Sequence, residues 1–215
     1  MEFVYEENES IDSWETVMFL YGSALKKVTL NMEILNDEFR YLHNYNPIEH
    51  IKSRLKEPES IVKKLKRHGY ESTIENMVKY VKDIAGVRII CSFTSDIYLL
   101  ADMIAKSNDV KVLEIRDYIR NPKPSGYTSY HMIVSTPINM GDRKVDTVVE
   151  IQIRTVAMDF WASLEHKIHY KFEGDAPAHI KSELVECAKL VADLDARMLS
   201  LNEEILSISQ QTGRE

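Results

Sequence analysis

Between residues 145 and 154 the chain alternates, with Val149, Ile151 and Ile153 on one side and Glu150, Gln152 and Arg154 on the other. A period of two is the signature of a β-strand. Faces this different need different surroundings. The apolar back asks for a layer of helices. The front is either bathed by water or lines a polar site, because a glutamate and an arginine buried without partners are costly. The strand alone leaves both possibilities open. Thr155 follows at the position where a hydroxyl caps the next helix, which the apolar spacing carries to about Phe172.

The flanking segments supply the layers. Residues 12–43 place Val17, Leu20, Tyr21, Ala24, Val28, Leu35, Phe39 and Leu42 at helical spacing. Asp12 with Glu15 reads as a capping pair, and Asn44-Tyr-Asn-Pro47 as the stop. Residues 51–56 alternate again, with Lys52, Arg54 and Lys56 on one face, and predict a strand with a cationic front. A short helix follows, with Pro58 in its first turn and Gly69 as its stop. Further expected elements are helices over 73–82 and 96–106 and strands over 86–93, 110–115 and 127–135. The prolines and glycine of Asn121-Pro-Lys-Pro-Ser-Gly126 require a loop. These elements do not alternate as regular βαβ units. The expected fold is α/β (α+β), with a mixed central sheet flanked by helices. Residues 1–45 are read as an N-terminal helical region, 46–172 as the domain that holds the mixed sheet and 173–215 as a long C-terminal helix. That last helix carries an unbroken 4-3 repeat: Ile180, Leu184, Cys187, Val191, Leu194, Met198, Leu201, Ile205 and Ile208. At about 45–50 Å it overhangs a small domain and predicts a seam that packs on the N-terminal helix of its own chain or, in a homo-oligomer, on another subunit.

The formal charge of -7 excludes a generic polyanion binder, so any phosphate must meet a local basic patch. Residues 52–67 provide one, with seven basic side chains against two acidic ones. DNA is not an expected partner. Cys91 and Cys187 form no CxxC pair and read as small buried residues in a reducing cytoplasm. The acidic start is no signal peptide, and no apolar run is long enough for a membrane span.

Asp83 and Glu150, from separate elements, are candidate ligands for Mg2+, a hard ion that bridges carboxylates and phosphates. Spacing leaves open whether they meet. Gly86 permits close backbone approach. The loop from Lys123 to His131 offers a cation, an aromatic plane and a histidine. P-loop, GxGxxG, HExxH and GxSxG patterns are absent from the sequence. His166 and His169, without a further ligand, do not suggest a zinc site.

Three segments in order, Asp83-Ile-Ala-Gly-Val-Arg88, Gly126-Tyr-Thr-Ser-Tyr-His131 and Val149-Glu-Ile-Gln-Ile-Arg-Thr155, are followed by Trp161-Ala-Ser-Leu-Glu-His-Lys-Ile-His-Tyr170. Together they resemble the synthetase domain of the RelA/SpoT homologues, the alarmone (p)ppGpp synthetases, over residues 21–188. No His-Asp dipeptide is present, so no hydrolase domain is expected. The chain is similar to the small RelP/RelQ type. Asn46-Pro-Ile-Glu-His-Ile51, Asp96-Ile-Tyr-Leu99 and Ala162-Ser-Leu-Glu-His-Lys-Ile168 look closer to RelP.

The resemblance implies a GTP pyrophosphokinase that moves the β,γ-pyrophosphate of ATP to the ribose 3′-hydroxyl of GDP or GTP. It implies Mg2+ on Asp83 and Glu150, with Glu150 also the base. Arg54 and Arg88 match the arginines that sandwich adenine. Lys56, Ser60, Lys64 and Arg67 match ATP-phosphate contacts, and Arg116 lies by the reacting phosphates. Tyr127 would stack on guanine, with Lys123, His131 and Gln152 contacting that nucleotide. Family members form homotetramers through their terminal helices. Two positions depart from the pattern. Thr128 stands where small synthetases usually carry arginine, which opens the choice among GMP, GDP and GTP. Asp159 stands where the RelQ type has asparagine near a regulatory cleft. The competing reading is an inactive nucleotide-sensing or RNA-binding homologue, in which RNA would use residues 52–67.

Overall fold

The computed structural model describes residues 13–170 and 176–212. Eleven elements follow in order: α1 (Trp14–Leu42), β1 (Ile48–Leu55), α2 (Pro58–Arg67), α3 (Ile74–Tyr80), β2 (Ala85–Cys91), α4 (Thr94–Lys106), β3 (Lys111–Asp117), β4 (Tyr130–Met140), β5 (Arg143–Thr155), α5 (Val156–Tyr170) and α6 (Ala178–Thr212). The five strands form one mixed sheet in the order β1-β2-β5-β4-β3. Only β2 and β5 run parallel. The expected mixed sheet with flanking helices is the architecture found.

The alternation in β5 does what its chemistry demands. Val149, Ile151 and Ile153 are fully buried beside Val87, Ile89, Met132 and Val134. The helical stripe of α1, from Val17 through Val28 to Phe39, closes over this back face with Ile97, Leu100 and Ile104 of α4. The front face carries the charges. α1 begins at Ser13, whose hydroxyl accepts from the Thr16 amide, while Asp12 lies outside the described residues. At the other end Asn46 fixes the exit, donating to Asn36 and accepting from the Ile48 amide. Thr155 caps α5 as expected, its Oγ1 accepting from the Met158 amide at 3.1 Å.

Among the boundaries that differ from the sequence reading, three belong to β3 and β4. β3 continues through Arg116 to Asp117, held by pairing with β4. β4 starts at Tyr130, because Gly126 (φ +88°) and the Lys123 amide bonded to the Tyr127 carbonyl keep that stretch in the loop. It then runs past Pro137 to a turn at Gly141, where φ is +61°. Pro137 is tolerated because β3 stops pairing at Ser135, so no ladder donor is needed on that side.

α6 behaves as two segments. Leu184, Ala188 and Val191 pack against Trp161 and Tyr127, and the Trp161 indole donates to the Leu184 carbonyl at 3.0 Å. Beyond them Leu194, Met198, Leu201, Ile205 and Ile208 are exposed, as are Phe19, Leu30 and Ile34 of α1. Cys187, read as a buried residue, is also exposed on this helix, whereas Cys91 is buried in the sheet.

Candidate active site

Strand register arranges the front face in rows. One row runs Lys52, Arg88, Gln152, His131, Arg116 from β1 to β3, and the next runs Arg54, Gly86, Glu150, Ile133, Glu114. Gly86 therefore leaves a gap between a cation and a carboxylate. A Cβ there would lie 4.0 Å from the carbonyl oxygens of Arg54 and Glu150, so nothing in the protein requires glycine at that point. The close backbone approach expected of Gly86 is not needed by the chain itself.

On the β1 side, Asp83 sits in the turn before β2. Lys56 Nζ donates to its Oδ2 at 2.8 Å and Lys64 Nζ to its Oδ1 at 2.7 Å. Lys56 is placed by its amide, bonded to the Ile84 carbonyl at 2.7 Å. Lys64 is placed by α2, which buries Ile61 and Leu65 and so turns Ser60, Lys64 and Arg67 out along one stripe. Burial raises the Asp83 carboxyl, but the two lysines outweigh it and hold the group at about 2.

On the β4–β5 side, Glu150 is 8% exposed. His131 Nδ1 lies 3.1 Å from its Oε1, and Gln152 Nε2 donates to its Oε2 at 2.7 Å. Burial raises this carboxyl too, and the His131 and Gln152 contacts reverse the sign and hold it below the usual glutamate value. Asp83 lies three residues before Gly86, which pairs with Glu150 on the parallel neighbour, so the two carboxylates stand at the same end of β2 and β5, and the Asp83 charge raises the Glu150 carboxyl. Both are hard oxygen donors, and among the described residues no group of three or more His, Cys, Asp or Glu is placed to hold a metal ion. That donor set fits an ion that takes its remaining ligands from phosphate and water, as Mg2+ does.

The loop beyond β3 forms an aromatic pocket. Lys123 Nζ lies 4.6 Å from the Tyr118 ring centre and 4.7 Å from that of Tyr127. Burial lowers the Lys123 ammonium below the ordinary lysine value, with Arg116, Arg154 and Lys64 adding to that and Glu150 opposing. Gly126 is obligatory here: its φ is positive, and a Cβ would lie 2.5 Å from that of Ala188. The first turns of α6 thus brace this loop.

Behind the pocket lies Arg154, 4% exposed. Its Nη1 and Arg88 Nη1 share Asp159 Oδ1, at 3.2 and 3.1 Å. Burial, then Arg154, pushes the Arg88 guanidinium below its ordinary value, Asp159 opposes, and Arg54 adds to the lowering. Asp159, at the position where the RelQ type has asparagine, thus bridges two arginines of the front face.

The structure therefore brings Asp83, Lys56, Lys64, Arg88, Glu150, Gln152, His131, Tyr127 and Lys123 around one front face. Arg54, Ser60 and Arg67 are exposed at its margin, and Arg116 is held in a fork by Glu114 at 2.7 and 2.9 Å. Sequence reasoning gave no catalytic or substrate-binding role to Arg154, Asp159, Tyr118 or Glu114. The strand alternation did place Arg154 on the correct face. For Tyr118 and Glu114 no sequence signal stood out.

Known proteins share this sequence pattern and this fold. A family profile described as "Region found in RelA / SpoT proteins" matches residues 53–175. The chain is 45% identical over 195 residues to GTP pyrophosphokinase YwaC of Bacillus subtilis, covering 91% of this chain and 93% of that protein. The crystal structure of small alarmone synthetase 1 from Bacillus subtilis bound to its product pppGpp superposes with a TM-score of 0.85 at 33% identity, over 90% of this chain and 98% of the other. The same synthetase bound to AMPCPP gives a TM-score of 0.78 at 30% identity, over 90% and 98%.

Proposed function

The chain belongs to the RelA/SpoT family, and from that premise we propose the following reading of its active site. The protein is a GTP pyrophosphokinase that makes (p)ppGpp. The observation that carries the reading is the placement of Asp83 and Glu150 at one end of the parallel pair β2 and β5, with cations on the β1–α2 side and the Lys123–Tyr118–Tyr127 cluster on the other.

ATP lies over β1 and α2. Arg54 and Arg88 sandwich adenine, guanidinium planes being suited to stacking. Lys56, Ser60, Lys64 and Arg67 take the phosphates, and Arg116 approaches the reacting groups. The guanine nucleotide enters the pocket of Tyr127, with Lys123, His131 and Gln152 around it. Glu150, ionised at neutral pH, takes the proton of the ribose 3′-hydroxyl. That oxygen attacks the β-phosphorus of ATP, the bond from the β-phosphorus to the α,β-bridging oxygen breaks, and AMP leaves. Mg2+ held by Asp83 and Glu150 supplies charge neutralisation on the phosphate oxygens when bound. Lys56 and Lys64 exchange Asp83 for phosphate as ATP arrives. Positioning and charge compensation account for the chemistry.

The catalytic unit is residues 46–172. The exposed apolar residues of α1 and α6 assemble a homotetramer, measurable by sedimentation. No helix among the described residues is long and apolar enough to cross a membrane, and a cytoplasmic site of action fits the nucleotide substrates. Incubation with ATP, Mg2+ and GMP, GDP or GTP in turn tests the activity and the acceptor. Absence of AMP and of any 3′-pyrophosphorylated product overturns it and leaves the nucleotide-sensing homologue.

A further inference from the structure

A guanidinium only donates hydrogen bonds, and a carboxylate only accepts them. In this site Arg154 and Glu150 are the two ends of a closed loop of contacts. Along one arm, Arg154 Nη2 donates to the Tyr127 hydroxyl at 2.6 Å. That hydroxyl lies 2.8 Å from His131 Nε2, and His131 Nδ1 lies 3.1 Å from Glu150 Oε1. Along the other, Arg154 Nη2 donates to Gln152 Oε1 at 2.8 Å, and Gln152 Nε2 donates to Glu150 Oε2 at 2.7 Å. The two Nη2 hydrogens are thereby both committed. Nε and Nη1 go to Ser129 and Asp159, which fixes the plane of the fork.

A path from an obligate donor to an obligate acceptor has one consistent direction. Each group between must accept on the Arg154 side and give on the Glu150 side. Tyr127, whose oxygen already accepts from Arg154, gives its single proton to His131 Nε2. The imidazole hydrogen then stands on Nδ1, aimed at Glu150. Gln152 has its oxygen toward Arg154 and its nitrogen toward Glu150; the flipped amide would set two acceptors 2.7 Å apart at Glu150 and two donors together at Arg154. Little water reaches either end to compensate, with Arg154 and Glu150 exposed by 4% and 8%.

We infer that Arg154 is a positioning residue, which through Tyr127–His131 and through Gln152 sets the direction of both arms and so orients the carboxylate of Glu150 for proton abstraction. The inference rests on Glu150 being the base. It requires the fork and not only the charge. A lysine ammonium in this place cannot hold Ser129, Asp159, Tyr127 and Gln152 in one plane.

The test uses the full chain. In the unliganded wild type labelled with [15N]histidine, with His131 assigned by its loss in His131→Gln, the ring is expected as the Nδ1–H tautomer. Arg154→Lys is expected to give mixed tautomers. Its kcat should fall about 100-fold, with the KM for ATP within about threefold. Tyr127→Phe keeps the ring and cuts one arm. It should lower kcat about fivefold in the wild type and less than about twofold in the Arg154→Lys background. An Nε2–H tautomer or an imidazolium in the wild type, full rescue of kcat by lysine, or additive losses overturn the inference. If Arg154→Lys does not fold, the wild-type tautomer and the single Tyr127→Phe loss decide. A wild type that makes no product sinks the functional reading instead, and the tautomer measurement still stands on its own.

Discussion

On the β1–α2 side of the front face, Asp83 is held by two ammonium groups that reach it from separate segments, with side chains 16% and 27% exposed. On the β4–β5 side, Glu150 is held by a histidine and an amide whose own partners close back on a buried arginine. The first arrangement is charge compensation. Another anion for the lysines and another cation for Asp83 satisfy it equally well, and it is undirected. The second is directional. Its donors and acceptors fit only one way round, and it needs no rearrangement to present a carboxylate oxygen. The site thus pairs a half that trades partners on binding with a half that is set in advance, the arrangement expected where a flexible polyphosphate must meet a fixed base.

The comparison is broken most severely by Glu150→Gln. The amide puts a donor where His131 or Gln152 already donates, and it removes the base. Turnover should fall by about 10³-fold or more, roughly 4 kcal/mol, with calorimetric affinity for each nucleotide changed only a few-fold. Retained activity would remove Glu150 from the chemistry. Next comes the pH dependence of the Asp83 side. Its carboxyl stands at about 2 against an ordinary 3.8, a depressed folded value. The stability it contributes is therefore fully present above pH 3.8 and is lost as pH falls toward about 2. The size is about 2 kcal/mol. Denaturant unfolding in metal-free buffer should show this acid loss in the wild type and its absence in Asp83→Asn; equal slopes would mean the lysine pair is not formed in solution.

Tyr127→Ala sharpens the other half. The KM for the guanine nucleotide should rise about tenfold while that for ATP stays within about twofold, reflecting one lost stacking partner. A matched rise in both would mean that the pocket is shared. The smallest effect is expected from Glu114→Gln, which releases Arg116 from an exposed fork. The KM for ATP should fall about twofold at low salt and revert near 0.5 M salt.

Much of this was legible in the residues. The period-two alternation of β5 was bound to be a strand with an apolar back, because only that conformation separates Val149, Ile151 and Ile153 from Glu150, Gln152 and Arg154. The Thr155 cap and the α2 stripe follow from local spacing in the same way. The capping residue of α1 is Ser13, one position from the expected site, and β4 runs past the expected end at residue 135, with Pro137 tolerated because β3 stops pairing at Ser135. Cys187 was misplaced, since a 4-3 repeat marks a seam without saying what covers it. Among the site residues, those in runs such as Asp83-Ile-Ala-Gly-Val-Arg88 were named as candidates from their motifs. Asp159, Tyr118 and Glu114 received no catalytic role, since their significance comes from partners far along the chain or across a strand pair.

The sequence by itself determined which side chains share a face, where helices begin and which stretch is basic, because these depend on periods of two and 3.6 and on capping chemistry within a few residues. The tertiary structure decided which faces meet. The parallel pairing of β2 with β5 puts Arg88 beside Gln152, and antiparallel β4 puts His131 on the other side of it. The turn before β2 brings Asp83 to Lys56 and Lys64. Hydrogen-bond direction was decided last, because Arg154 and Glu150 lie four residues apart on one strand yet are joined through groups on β4 and the loop before it, and only their joint placement makes the path between them run one way.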